Sequence, residues 1–171
     1  SFIQSNYQGF GSGVVVSGTG ISMQNRGFGF VTAADHPNCV GPRKLPFHTI
    51  IPGFLTRGGK PVMSFGVMGA NMQPQGHLQT LLRMLVWQQS PQAACDAARW
   101  RVQPGPKLSV EPTMAPDVIE QLRARGHALE IATDIYSDFG SGQFIWRLSD
   151  QLDDGYVAAS DGRRDGLVAG F

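Results

Sequence analysis

Apolar and polar positions alternate with a period of two over residues 2–7, β-branched side chains cluster at Val14-Val15-Val16, and a short apolar stretch resumes over residues 21–25. These runs predict three short strands, separated by the Gly9-Phe10-Gly11-Ser12-Gly13 loop and by Ser17-Gly18-Thr19-Gly20. Residues 27–46 follow neither period and read as one long ordered loop, a feature that in compact domains usually serves function. Residues 49–55 and 61–66 then flank Arg57-Gly58-Gly59-Lys60, a hairpin signature whose apolar density predicts burial on both faces. Leu78, Leu81, Leu82 and Leu85 fall at i, i+3, i+4 and i+7, which predicts a helix over 76–89 with those leucines facing the core. Ser90-Pro91 reads as an N-cap followed by proline at the first helical position, opening a short helix through Ala98. A third helix is expected over 116–125, stopped by Gly126. Strands are expected at 128–131, 143–148 and 156–160, the last two joined through Asp153-Asp154-Gly155. Strands, then helices, then strands argue an α+β fold with a sheet core covered by helices, organised as a single domain over 1–171 without repeat or linker.

Composition narrows the function classes. The 171 residues are 42% hydrophobic and 16% charged, and 22 Gly with 11 Pro make the chain rich in turns without low complexity. Fourteen Lys and Arg against thirteen Asp and Glu leave a net charge of +1, so the electrostatic footprint of a nucleic-acid or anionic-membrane binder is absent from the chain as a whole. No apolar run is long enough to span a bilayer, and the first residues show neither a basic nor a hydrophobic targeting segment. The chain opens without Met inside a strand-like pattern, which reads as a fragment or processed piece. Cys39 and Cys95 have no partner pattern for a metal or disulfide framework and read as buried small apolar residues. Several short motifs fail on mechanics. Asp138-Phe139-Gly140 lacks the rest of a kinase site, and the glycines at 9, 11 and 13 lack the Lys and helix of a phosphate loop. His36, His48, His77 and His127 have no spacing that would bring them to one metal.

Four segments do coincide in order and spacing: Phe10-Gly11-Ser12-Gly13-Val14, Gly41-Pro42-Arg43-Lys44-Leu45-Pro46, Phe65-Gly66-Val67-Met68-Gly69-Ala70, and Ala159-Ser160-Asp161-Gly162-Arg163. In register over nearly the whole chain, they resemble the small subunit of the γ-glutamyltransferase (γ-glutamyltranspeptidase) family. The resemblance implies the four-layer αββα fold of N-terminal nucleophile hydrolases, built with a large subunit cut from the same precursor. It implies a Thr whose hydroxyl attacks an amide while its own α-amino group serves as base, and an acyl-enzyme resolved by water or an acceptor amine. In the family that Thr lies one strand and turn before the position of Ser1, so the fragment alone is expected to be inactive. No cofactor or metal is implied.

Residue by residue, the resemblance gives Ser5 the place of a hydroxyl residue beside the nucleophile, which orients the attacking oxygen. Gly69 and Ala70 take the place of a Gly-Gly pair whose N–H groups form the oxyanion hole, a substitution tolerable only if Ala70 has negative φ. The positions that recognise a γ-glutamyl donor depart from the family pattern. Gly29 stands for the Asp, Arg26 for the Gln and Tyr7 for the Asn that meet the α-ammonium, and His48 and Thr49 stand for the paired Ser that meet the α-carboxylate. Losing a carboxylate and gaining a guanidinium changes the local charge by about two units, which disfavours a substrate ammonium and favours an anion. Together with Gln24-Asn25-Arg26-Gly27 this resembles more closely the divergent branch of the family that includes cephalosporin (glutaryl) acylase-like members, whose donors can present a carboxylate without an α-amine. Arg26 also reads as a solvated loop residue or a partner of Asp35, and Asp35 as a replacement for the missing Asp.

Two function classes therefore stand: a Thr-dependent amide hydrolase or acyl transferase acting on γ-glutamyl or glutaryl-like amides, and a non-catalytic binding or assembly module that retains the fold. The apolar faces that a large subunit would cover predict self-association of the isolated fragment. The compartment stays open between cytoplasm and periplasm.

Overall fold

The computed structural model describes residues 1–134 and 139–170. The chain divides into two compact units, Ser1–Ile51 and the remainder from Pro52.

The first unit is held by turns and backbone bridges. Residues 10–24 form a narrow ribbon in which Ser12 N–H donates to the Met23 carbonyl at 2.8 Å, Met23 N–H to that of Val14 at 2.8 Å, and Val16 N–H to that of Ile21 at 2.9 Å. The strands expected at 14–16 and 21–25 thus reduce to one antiparallel bridge, Val15 with Ser22. The strand expected over 2–7 is absent. Its alternating residues find no ladder partner among those described, and the segment ends in a turn where Tyr7 has φ 77° and its N–H donates to the Ser5 hydroxyl oxygen at 3.0 Å. The long loop is as expected, closed by a parallel bridge between Val31 and Cys39 and containing a 3-10 turn, Arg26–Gly29.

In the second unit the expected hairpin forms between β1 (Gly53–Arg57) and β2 (Lys60–Met68), with φ 57° and 78° at the Gly58-Gly59 centre. It extends through β6 (Ser141–Arg147) and β7 (Tyr156–Ser160) into a four-stranded antiparallel sheet of order β1-β2-β6-β7. Burial is one-sided rather than two-sided. Met63, Phe65 and Val67 alternate into the core, whereas the edge strand β1 leaves Phe54 exposed. Phe65 and Phe144 stack at 6.2 Å within a core completed by Met84, Ala94, Cys95 and Ala159. Helices α1 (Gln73–Leu85) and α2 (Pro91–Asp96) cover this sheet, and the Ser90 hydroxyl caps α2 by accepting from Ala93 N–H at 3.2 Å.

A second sheet was only partly legible. Its order is β3-β4-β5, from Trp100–Val102, Lys107–Val110 and Ala128–Ile131. β3 and β4, three and four residues long, carry no alternation strong enough to read. β4 and β5 run parallel, connected through α3 (Pro116–Ala124), around Leu108, Val110, Met114 and Ile119.

The burial of α1 reverses the sequence expectation. Leu78, Leu82 and Leu85 are exposed and Leu81 is partly buried, while Gly76, Gln79, Thr80 and Met84 face inward. Backbone satisfaction explains the rotation. The Gln79 amide bonds both groups of Trp100, Nε2 to its carbonyl at 2.8 Å and Oε1 from its N–H at 3.0 Å. One turn earlier, Gln75 treats Val102 the same way, at 3.4 and 2.7 Å. Two glutamines at i and i+4 therefore close the free edge of β3, and turning the leucines inward would leave that edge unpaired. Gly76 lets the helix approach β2, since a Cβ there would stand 2.6 Å from Val67 Cγ1.

Where the sheets and α2 converge lies a buried network of two arginines and two carboxylates. Arg99 donates to Asp161 at 2.6 Å and to the Phe139 carbonyl at 2.9 Å, and its backbone N–H donates to Glu111 at 2.7 Å. Arg163 forks onto Glu111 at 2.6 and 2.5 Å and bonds Asp161 at 3.0 Å and the Cys95 and Ala97 carbonyls at 2.9 and 3.0 Å. Burial alone would raise the Asp161 carboxyl, but Arg99, the Arg163 and Gly142 N–H groups and the Arg163 guanidinium outweigh it and hold it below the usual value. Cys95 is buried beside this network, its thiol pushed up to about 12 chiefly by burial, whereas Cys39 is only partly covered, contrary to expectation.

Replacing Glu111 by Gln leaves the two arginines facing one carboxylate. The expected loss is about 3–5 kcal/mol, the scale for breaking a buried pair, and a urea midpoint within experimental error of the wild type would refute the network's role. Acid should destabilise the fold in two stages. His77, on α1, accepts from Val67 N–H through Nε2 at 2.9 Å, and burial lowers its pKa from 6.5. The unfolded chain therefore takes up a proton near pH 6.5 that the folded chain refuses, and stability falls as pH drops below that value. The stabilisation from Asp161, present above its unfolded value of 3.8, is lost at still lower pH as the folded carboxyl protonates. Urea melts across pH should show that H77Q removes the first stage and leaves the second.

Candidate active site

The turn after β2 is set by two residues of positive φ, Gly69 at 129° and Ala70 at 50°. Ala70 thus does not meet the condition of negative φ, and its methyl stands in a left-handed conformation that costs an L-residue on the order of 1–2 kcal/mol. Packing explains why the turn holds. A Cβ on Gly69 would lie 2.8 Å from Gly140 Cα, and one on Gly140 (φ 67°) would lie 2.0 Å from the Met68 carbonyl oxygen. Two backbones touch here with no room for side chains between them. Phe139, fully buried, is tied to Arg99 through its carbonyl, so the ion network braces the segment that supports the turn. Gly140 belongs to the Asp138-Phe139-Gly140 motif set aside on sequence, and Asp138 lies outside the described residues. Among the described residues no acceptor takes the N–H of Gly69 or of Ala70. Two adjacent donors left without partners at a strand end suit a developing oxyanion.

The first unit gathers most of the residues proposed to contact substrate. Arg26 Cζ sits 5.4 Å above the Tyr7 ring, and its guanidinium donates to the Ser5 carbonyl at 3.5 Å. Asn25 links the same strands of chain, its N–H donating to the Asn6 carbonyl at 3.1 Å and its Oδ1 accepting from Gln8 N–H at 3.0 Å. The Tyr7 hydroxyl reaches Gly29, where a Cβ would lie 3.7 Å from it. Ser5 Oγ accepts from Tyr7 N–H, which leaves its hydroxyl proton to donate. No ion pair joins Arg26 to Asp35 among the described residues, so the cation–π contact with Tyr7 replaces that expected alternative.

Beside this group opens a cavity of about 370 Å³ lined by Tyr7, Gly29, His36, Pro37, Asn38, Phe47 and Thr49. Of the predicted substrate contacts, Tyr7 and Thr49 line it. Arg26 does not, being engaged with Tyr7, and His48 packs its ring on Phe47 at 4.5 Å. Asn38 ties the loop together, donating to the Gly29 carbonyl at 2.7 Å and accepting from Phe47 N–H at 2.9 Å. His36, Asn38 and Phe47 were missed because nothing in a loop of irregular period marks which residues fold back onto Tyr7. Among the described residues no group of three or more His, Cys, Asp or Glu is placed to hold a metal, and no helix is long and apolar enough to cross a membrane.

Known proteins resemble this chain in sequence and in fold. A family model described as gamma-glutamyltranspeptidase matches residues 1–171. The glutathione hydrolase-like YwrD proenzyme of Bacillus subtilis is 36% identical, with 100% of this chain and 33% of that protein covered. The oxamate amidohydrolase proenzyme of Klebsiella pneumoniae is also 36% identical with the same coverages. The chain thus spans about a third of the length of these relatives. The crystal structure of cephalosporin acylase from Bacillus halodurans matches with a TM-score of 0.88 and 49% identity over 98% of this chain and 31% of that one. The gamma-glutamyltranspeptidase of Pseudomonas nitroreducens, at 22% identity and a TM-score of 0.83 over 99% of this chain and 92% of that one, shares the fold. Sequence match over the whole length and a common fold agree: the chain belongs to the γ-glutamyltranspeptidase family, with the α+β N-terminal nucleophile hydrolase fold.

Proposed function

We propose that this chain is the small-subunit part of an amide hydrolase or acyl transferase whose nucleophilic Thr is carried by the preceding part of the same precursor, and that it is inactive without that part. The single observation that carries the reading is the pair of adjacent amides at Gly69 and Ala70, without acceptors among the described residues, on a turn braced by buried charge. In the reaction, the Thr hydroxyl attacks the substrate carbonyl while the Thr α-amine takes its proton. Negative charge develops on the carbonyl oxygen, and the N–H groups of Gly69 and Ala70 meet it. Donors so placed contribute roughly 3–4 kcal/mol each to the transition state. Collapse expels the amine with a proton from the α-ammonium, and water or an acceptor amine then releases the acyl group. Ser5 donates its hydroxyl proton toward the nucleophile and positions it.

The acyl group carries a carboxylate and lacks an α-ammonium. Gly29 offers no counter-charge to an ammonium, no acidic side chain is among the described residues that line the cavity, and Arg26 adds a cation next to its Tyr7 wall. Unit charges about 4 Å apart interact by about 4 kcal/mol at a surface-like dielectric, enough to reverse a preference. The relative named oxamate amidohydrolase is consistent with such donors, since oxamate is an amide that carries a carboxylate and no ammonium. The exposed leucine face of α1 is the kind of surface the large subunit of the precursor covers, and it would make the isolated chain self-associate.

Mass spectrometry of the full-length gene product should show two chains, the shorter beginning with Thr. A single uncleaved chain with no turnover would move the reading to a non-catalytic assembly module. The processed enzyme should release glutaryl-p-nitroanilide at least as well as the γ-glutamyl compound, and a strong preference for the latter would refute the charge argument. Ala70→Gly should relieve the left-handed methyl and raise stability by up to about 1 kcal/mol after the added entropy of the unfolded chain. A lower urea midpoint for that variant would show that Ala70 carries no strain.

A further inference from the structure

We propose that His36 recognises the distal carboxylate of the acyl group; the assignment rests on the functional reading above and supplies the contact that Arg26, engaged with Tyr7, does not make. His36 sits in a short turn, its N–H donating to the Ala33 carbonyl at 3.1 Å and its own carbonyl accepting from Cys39 N–H at 2.9 Å. Its Nδ1 accepts from Asn38 N–H at 3.0 Å. A neutral imidazole that accepts at Nδ1 must carry its proton on Nε2, so the backbone fixes both the tautomer and the orientation of the ring. His36 is exposed, so its Nε2–H is open to water or to a ligand; among the described residues no acceptor takes it, and the residue borders the 370 Å³ cavity.

The other polar groups around the cavity narrow the ligand. The Asn38 side chain is spent on Gly29 and Phe47, holding the loop closed. Tyr7, Pro37 and Phe47 give the walls an apolar body, and the neighbouring acid Asp35 is not part of the lining. The lining therefore combines apolar walls with a histidine whose ring is held by the backbone and, among the described residues, no carboxylate, which suits a short methylene chain ending in an anion: the acyl half of a monoamide of a dicarboxylic acid. A substrate ammonium would find no counter-charge among the described lining residues, and a purely aliphatic acyl group would gain nothing from the Nε2–H.

The test uses the full-length, processed protein and two substrates of similar length, glutaryl-p-nitroanilide and valeryl-p-nitroanilide. H36N keeps an acceptor where Nδ1 stands and so preserves the turn, but removes the distal donor; H36Q returns an N–H donor at about the position of Nε2. The ratio of kcat/KM for the glutaryl over the valeryl compound should fall about 10- to 100-fold in H36N, the range for losing a hydrogen bond to a charged group, mainly through KM. In H36Q it should recover to within a few-fold. An unchanged ratio in H36N, including one where both substrates suffer equally, overturns the assignment. Glutarate titrated into the wild-type protein should in addition shift the His36 Nε2 resonance in 15N NMR, a readout that needs no turnover. A protein that hydrolyses no amide yet shows this shift retains the His36 site while the enzymatic reading fails; turnover without the shift removes the His36 site and leaves the enzyme.

Discussion

Arg99, Glu111, Asp161 and Arg163 form the constraint on which the second unit depends. Four charges that sum to zero are almost fully removed from water, and each carboxylate is held by both arginine and backbone donors. Such a cluster is a poor source of net stability, because desolvation offsets most of the attraction. Its consequence is geometric. The arginines also bind the carbonyls of Cys95, Ala97 and Phe139, so the network joins the end of α2, the starts of β3 and β6, and the segment after β7 at one point. Hydrophobic packing alone, being non-directional, would not fix these ends in register.

That register reaches the candidate site through a short chain of contacts. Arg99 fixes the Phe139 carbonyl, Phe139 is buried, and Gly140 lies against Met68 and Gly69 with no space for a methyl. The backbone is thereby forced through positive φ at two successive residues, including an alanine that would not choose it. Strain of this kind persists where surrounding structure over-determines it, and here it leaves two amides without acceptors among the described residues. His77 completes the support from the other side by taking the N–H of Val67, two residues before the turn.

The first unit solves a different problem with different means. It has almost no regular structure, so side chains take over the role of ladders: Asn25 and Asn38 bridge distant segments through their amides, and Arg26 lies on the Tyr7 ring. A wall made this way leaves Tyr7, His36 and Thr49 around one cavity although 42 residues separate the first from the last. Such a wall can change its charge preference by loop substitution without disturbing a sheet.

Periodicity and turn chemistry by themselves determined the β1–β2 hairpin with its Gly-Gly centre, the capped α2, α3 with its glycine stop, and the last three strands. These are local features, and their causes lie within a few residues of their effects. The four short segments in register determined the family, and with it the expectation of site residues at Ser5, Gly69 and Ala70. Tertiary structure decided what depends on distant partners. The leucines of α1 face outward because Gln75 and Gln79 close an edge of β3, a strand too short to be read. Residues 2–7 alternate but find no neighbour to pair with among the described residues. Ala70 takes positive φ in a turn whose preceding residue, Gly69, packs against Gly140, seventy residues on. The ion network was visible only as letters in Ala159-Ser160-Asp161-Gly162-Arg163, since nothing in a linear chain states that Asp161 and Arg163 will meet Arg99 and Glu111 away from water.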